Sequence, residues 1–133
     1  MGAELTEEVV KKLQEAHYWH VATLNPDGSP QVTPVWAGLR GDRILVNTVA
    51  GRKKDRNLRN DDRVGLSLHI PEGYANIAIQ GRVVETIEGD QAERDIDELS
   101  RKYTGHDYAG RTPEMRRVTF LIEPVHVWYR PPM

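Results

Sequence analysis

"RVGLSLHIPEGYANIAIQGRVVETI", residues 63–87, is the stretch from which the architecture can be read. Its first eight residues alternate. Val64, Leu66, Leu68 and Ile70 fall on one side, Arg63, Gly65, Ser67 and His69 on the other, which predicts a half-buried strand. "PEGY" at 71–74 predicts a turn. Residues 75–87 then predict a long strand, with Gly81 inside it as a candidate bulge. Two strands joined by a connection this short pair antiparallel.

The same pattern extends both ways. Val9, Val10, Leu13 and Ala16 recur at helical spacing behind Thr6, Glu7 and Glu8, predicting a helix over about 6–16. "HYWHVATL" (17–24) predicts a strand and "NPDG" (25–28) a turn in which Pro26 presets φ. "SPQVTPVWAGL" (29–39) reads as one strand whose two prolines assign it to an edge or a bulge. "RGD" (40–42) is a turn and "RILVNTV" (43–49) a third strand. "RKKDRNLRND" (52–61) predicts a short helix, and residues 89–105 a helix with Ala92, Ile96 and Leu99 on one stripe. "RVTFLIEPVHVWYR" (117–130) predicts a closing strand interrupted at Pro124. The order α β β β α β β α β predicts one domain over residues 1–133. Its class is mostly β (α+β), an antiparallel small barrel or sandwich of six or so strands with a few short helices.

Composition removes several classes of function. The chain has 133 residues, a formal net charge of −2 and no cysteine. Thiolate catalysis, disulfides and cysteine-based metal sites are therefore excluded. An acidic balance offers no broad field for nucleic acid or an anionic membrane. The N-terminus carries no basic n-region, and no apolar run reaches about 18 residues, so a cytoplasmic protein is expected. Serine-hydrolase, P-loop, Rossmann and H-E-x-x-H motifs are absent from the sequence. His17 and His20, three apart on a strand, point to opposite faces, so no metal site is expected.

The chemistry concentrates at "NTVAGRKKDRNLRN", residues 47–60, where Arg52, Lys53, Lys54, Arg56 and Arg59 follow a single glycine. Three readings are open. A mixed-charge run is often only a solvated helix face, and Asp55, Asp61 and Asp62 offset part of the charge. A nucleic-acid surface needs a wider basic footprint with interleaved aromatics, which this stretch lacks. A phosphate site needs a strand end, a tight glycine turn and a helix start with cations, all of which are here. In that reading Arg52 binds the anion bidentately, Lys53 or Lys54 adds point charge, and Asn47 and Thr48 donate neutral hydrogen bonds.

Taken in order, "ATLNPDGSPQVTPVW", "ILVNTVAGRKKDRNLRNDDRVGLSL", "NIAIQGRVVE" and "FLIEPVHVWYR" resemble the pyridoxamine-5′-phosphate-oxidase-like split β-barrel flavoproteins over about residues 17–130. The spacing of Arg52, Lys54 and Asn57 looks most like the branch that uses the deazaflavin coenzyme F420. The resemblance implies a homodimeric split barrel with cofactor at the subunit interface, and an oxidoreductase moving a hydride from reduced deazaflavin to an unsaturated organic acceptor. An FMN-dependent enzyme of the same fold, or a carrier of F420 without turnover, are the alternatives. It further implies that Gln31, Val32, Thr33, Pro34 and Val35 run beside the ring. Asn47 and Thr48 would lie near the ribityl chain and phosphate, and Arg52 and Lys53 would form the phosphate pair. Asn76 would reach the flavin from the barrel, and Trp128 would contact the ring from the partner subunit. Gly51 stands where many FMN-using members carry serine, and the basic C-terminal extension of true pyridoxamine-phosphate oxidases is not seen, so vitamin B6 oxidation is not expected. Arg56 and Arg59 would suit a longer anionic tail. Tyr18, Trp19, Trp36 and Trp128 are candidates for an apolar acceptor pocket, and no catalytic residue is named.

Overall fold

A computed structural model describes residues 2–133. Its strands are β1 (Tyr18–Leu24), β2 (Pro30–Trp36), β3 (Gly38–Arg40), β4 (Arg43–Val49), β5 (Arg63–Ile70), β6 (Ala75–Ile87) and β7 (Arg117–Arg130). Of the helices, α1 (Glu7–Gln14) precedes β1, α2 (Lys53–Asn60) joins β4 to β5 and α3 (Asp90–Thr104) joins β6 to β7. All strand pairs are antiparallel, in the order β2-β1-β5-β6-β7-β4-β3.

That order forces closure. β2 and β3 are the two edges of the sheet, yet only Ala37 separates them along the chain. A sheet whose opposite edges are joined by one residue must roll until they meet, which makes a split barrel. The run expected as one strand over 29–39 is therefore two. Trp36 pairs with Tyr18, whereas Gly38 pairs with Leu45 across the seam. Pro30 and Pro34 sit on the edge strand β2, where a missing N–H is tolerated.

Helix α3 seals the seam. The Ala37 N–H donates to the Tyr103 hydroxyl at 3.0 Å, and that hydroxyl donates to the His17 carbonyl. Lys102 Nζ donates to the carbonyls of Leu13, at 2.9 Å, and Ala37. The helix lies so close that a Cβ on Gly38 would meet Leu99 Cδ2 at 3.2 Å.

Strand β7 runs through Pro124 without the expected interruption. The proline stands opposite Gly81, where the β6–β7 register slips, and its carbonyl accepts the Ala3 N–H at 2.7 Å. The irregularity expected at Gly81 falls there, but the extra residue is Val125 of β7: Gln80 pairs with His126 and Gly81 with Pro124. A Cβ on Gly81 would fall 2.6 Å from Ile122 Cγ2, so the crossing needs glycine.

Alternation sorts the side chains. β5 follows the pattern read from its sequence, with Val64, Leu66, Leu68 and Ile70 buried. They join Trp19, Val21, Ile44, Val46, Ile77, Ile79, Phe120 and Ile122 inside the barrel, with Val9 and Leu13 of α1 packed among them. Each such side chain contributes about 1.5–3 kcal/mol on burial. On the outside, α3 covers Leu45 and Asn47 of β4 and Arg117, Thr119 and Leu121 of β7. Leu45, Leu99 and Leu121 form a second small cluster there. Across β1, β5, β6 and β7 the outer face stays open, with His20, Ser67, Ala78 and Trp128 in one row and Ala22, Gly65, Gln80 and His126 in the next.

Candidate functional site

Where the seam meets the start of α2, a groove of about 290 Å³ opens on the barrel exterior. One wall is aromatic. Trp36 stacks on Tyr103 with centroids 5.1 Å apart and meets Tyr108 edge-on at 6.3 Å, while Tyr18 and Pro34 continue the wall. The other wall is cationic: Arg52, Lys54 and Arg117 converge with Asn47, Thr48 and Val49. Among the described residues none of these three cations forms an ion pair with a carboxylate.

Local structure explains the convergence. Gly51 adopts φ +88°, so the chain can turn sharply from β4 into α2. A serine at this place would be strained, which accounts for the glycine. Asp55 is buried and its carboxylate accepts the Gly51 N–H at 2.8 Å, while the Arg52 N–H donates to the Val49 carbonyl at 3.2 Å. The backbone donors at the turn are thus engaged within the protein, and the side chains carry the positive potential. Burial holds the Lys54 pKa below the usual lysine value, with help from Arg117 and Arg52. Arg117 is also held down, chiefly by burial and in part by Arg52, against the opposing influence of Tyr108 and Glu93. Both shifts come first from burial and only then from the neighbouring positive charge.

Arg117 is fixed in place. Its Nε donates to Asn47 Oδ1 at 2.8 Å, its backbone N–H donates to Glu93 Oε2 at 2.8 Å, and its guanidinium carbon stands 5.1 Å from the centroid of the Tyr108 ring. Neither Arg117 nor Tyr108 stands out in the sequence. The one available signal is that Arg117 begins an apolar strand, on the parity that α3 covers.

Of the residues expected at a cofactor site, the groove gathers Pro34, Val35, Asn47, Thr48, Arg52 and Lys54. The others lie elsewhere in the chain. Gln31 and Thr33 point toward the barrel interior opposite Thr23 and Val21, and Val32 is exposed on the outer face opposite Ala22. Lys53 is exposed, and its charge reaches the 25–28 turn, where Ser29 and more weakly Lys53 lower the Asp27 pKa. Asn57 is buried, donating to Thr23 Oγ1 at 3.1 Å and Asn25 Oδ1 at 3.0 Å. Asn76 and Trp128 stand on the open outer face, Asn76 opposite His69 and Arg130, Trp128 beside His126. Arg59 is paired with Asp55 at 2.6 Å and Glu88 at 3.0 Å, so it is not free for an anionic tail. Trp19 is fully buried in the barrel, where it packs as core and lines no acceptor pocket.

The sequence pattern of the pyridoxamine 5′-phosphate oxidase family matches residues 5–130. The chain belongs to this family. Solved structures agree on the fold of this pyridoxamine 5′-phosphate oxidase-family protein. An F420 reductase is 25% identical, with a TM-score of 0.82 over 93% of this chain and 98% of its own. A conserved hypothetical protein from Mycobacterium tuberculosis is 23% identical, with a TM-score of 0.76 over 94% and 84%. An FMN-binding protein from Syntrophomonas wolfei is 10% identical, with a TM-score of 0.70 over 95% and 86%. No curated protein sequence matches. Among the described residues no helix is long and apolar enough to cross a membrane.

Proposed function

We propose that this family member is a cytoplasmic oxidoreductase that binds coenzyme F420 and serves hydride transfer from the reduced deazaflavin to an unsaturated organic acceptor. The observation that carries this reading is the convergence of Arg52, Lys54 and Arg117, without a carboxylate partner, beside an aromatic wall. The residues present fit the group: a phosphodiester supplies the counter-charge that these cations lack within the protein. The deazaflavin, when bound, supplies the redox chemistry. The chain's own part is to hold and orient. Arg52, Lys54 and Arg117 hold the anion, and Pro34, Val35 and Trp36 flank the apolar portion. No residue is assigned a proton-transfer role.

The groove of one protomer is at the lower limit of small-molecule sites, about 300 Å³. Asn76 and Trp128 face away from it and reach a cofactor only from a second copy. A homodimer with cofactor between subunits follows from this reading.

Titrating the protein with F420 and FMN side by side is the direct test. Tighter binding of F420 supports the proposal. A yellow preparation that releases FMN favours the second reading, an FMN-dependent oxidoreductase, for which the same cations suit a phosphate monoester. Mixing the reduced deazaflavin complex with quinones, tetrapyrroles and enones then separates enzyme from carrier. Oxidation no faster than in buffer overturns the enzymatic assignment.

A further inference from the structure

Asn47 was expected to donate hydrogen bonds to the ligand, but its amide has no hydrogen left to give. One Nδ2 hydrogen goes to the Ala92 carbonyl at 3.0 Å and the other to Thr119 Oγ1 at 2.9 Å. The direction of each bond is dictated in turn. Asp95 is buried, and its carboxylate can only accept. It takes bonds from Arg40 Nη2 at 2.5 Å, Gln91 Nε2 at 2.7 Å and the Thr119 hydroxyl at 2.8 Å. Having donated its one hydrogen to Asp95, Thr119 can only accept from Asn47. The Ala92 carbonyl likewise can only accept. Both constraints aim the nitrogen of the Asn47 amide into α3 and its oxygen toward Arg117, whose Nε–H it receives at 2.8 Å.

We propose that Asn47 is a positioning residue, its amide polarised by the Asp95–Thr119 pair and the Ala92 carbonyl, that pins Arg117 Nε and leaves the two Nη groups of Arg117 to bind a phosphate group in the groove. This rests on the reading of the groove as an anion site. The parity of the sheet brings the parts together: Asn47 pairs with Thr119 and Val49 with Arg117 on the face that α3 covers. A guanidinium tied at Nε and lying against an aromatic ring loses rotamer freedom before the ligand arrives, which lowers the cost of binding. Asn47 thereby acts on the ligand through Arg117 and touches it nowhere itself.

The experiment compares ligands that differ only in phosphate: FMN against riboflavin, and F420 against its phosphate-free chromophore. Arg117→Gln is expected to weaken the phosphate-bearing member about tenfold or more and to leave the other unchanged. Asn47→Leu should show the same selectivity alone and add nothing in the Arg117→Gln background. Additive losses would mean that Asn47 contacts ligand independently, and no loss would mean that it holds nothing of consequence; either overturns the proposal. The unmodified protein supplies a check that needs no variant to fold. The Arg117 Nε–H resonance should exchange with water far more slowly than that of exposed Arg52, and equal rates would refute the pinning. Failure of the underlying reading looks different: the Arg52→Ala/Lys54→Ala double variant would then bind both members of each pair as the native protein does.

Discussion

Arg52 and Lys54 carry the anion-binding reading most directly. Replacing both with alanine removes two charge-assisted bonds worth roughly 1.5–3 kcal/mol each, so affinity for F420 should fall about a hundredfold or more. Isothermal titration reads this, and an unchanged dissociation constant returns the stretch to an ordinary solvated helix face. Asn57 is the informative contrast. It resembles a cofactor residue in sequence, yet its amide ties α2 to Thr23 and Asn25. Asn57→Ala leaves the buried Thr23 hydroxyl unpartnered and should cost about 1–3 kcal/mol in urea unfolding. Ligand affinity of the folded fraction should stay at the native value. A large loss of affinity at native stability would restore Asn57 to the binding surface. Spacing could not separate these two roles, because the next turn of the same helix carries one residue to the groove and the other to the barrel wall.

Helix α3 does two jobs for the elements around it: it closes the seam through Tyr103 and Lys102, and it covers the polar chain that reaches Arg117. The Lys102 ammonium is half-buried without a carboxylate partner, and this desolvation pushes its pKa down to about 8 from an ordinary 10.5. Between those values the unfolded chain binds the proton more tightly than the folded one, so stability should rise as pH increases across that window. Below about pH 8 both states are protonated and this contribution is flat. Urea midpoints at pH 7.5 and 9.5 measure the rise, and Lys102→Met should abolish it. A rise that survives in that variant would place its origin at another group. The sequence announced α3 by the stripe of Ala92, Ile96 and Leu99, and all three are buried. It gave no sign that Tyr103 and Lys102, one turn later, serve the backbone of Ala37, since those partners are more than sixty residues away.

For the molecule as a whole, the open outer face is the surface that bears on assembly. Small residues, Ala22, Gly65 and Ala78, form its centre, and Val32, Val125 and Trp128 stand exposed around them, Val32 at 56% and Trp128 at 53%. That combination suits close approach of a second sheet, and β2 joins this face to the groove through Val32 and Pro34. The homodimer reading therefore predicts that Ala78→Arg, which sets a charge amid the face, yields a folded monomer by sedimentation. The same variant should lose cofactor affinity, although Ala78 lines no part of the groove within its own protomer. A variant that remains dimeric, or a native protein that sediments as a monomer, refutes it.

Periodicity and turn chemistry by themselves determined the strands of β4, β5 and β6, the three helices and the antiparallel, mostly β class. These depend on neighbours along the chain, which a sequence displays. Tertiary structure alone decided that residues 29–39 divide between two edges, that the edges meet under α3, and that Arg117 joins Arg52 and Lys54 while Asn57 does not. Each of those depends on which strands lie side by side after the sheet has rolled, and contacts across a closed barrel leave no mark in local spacing.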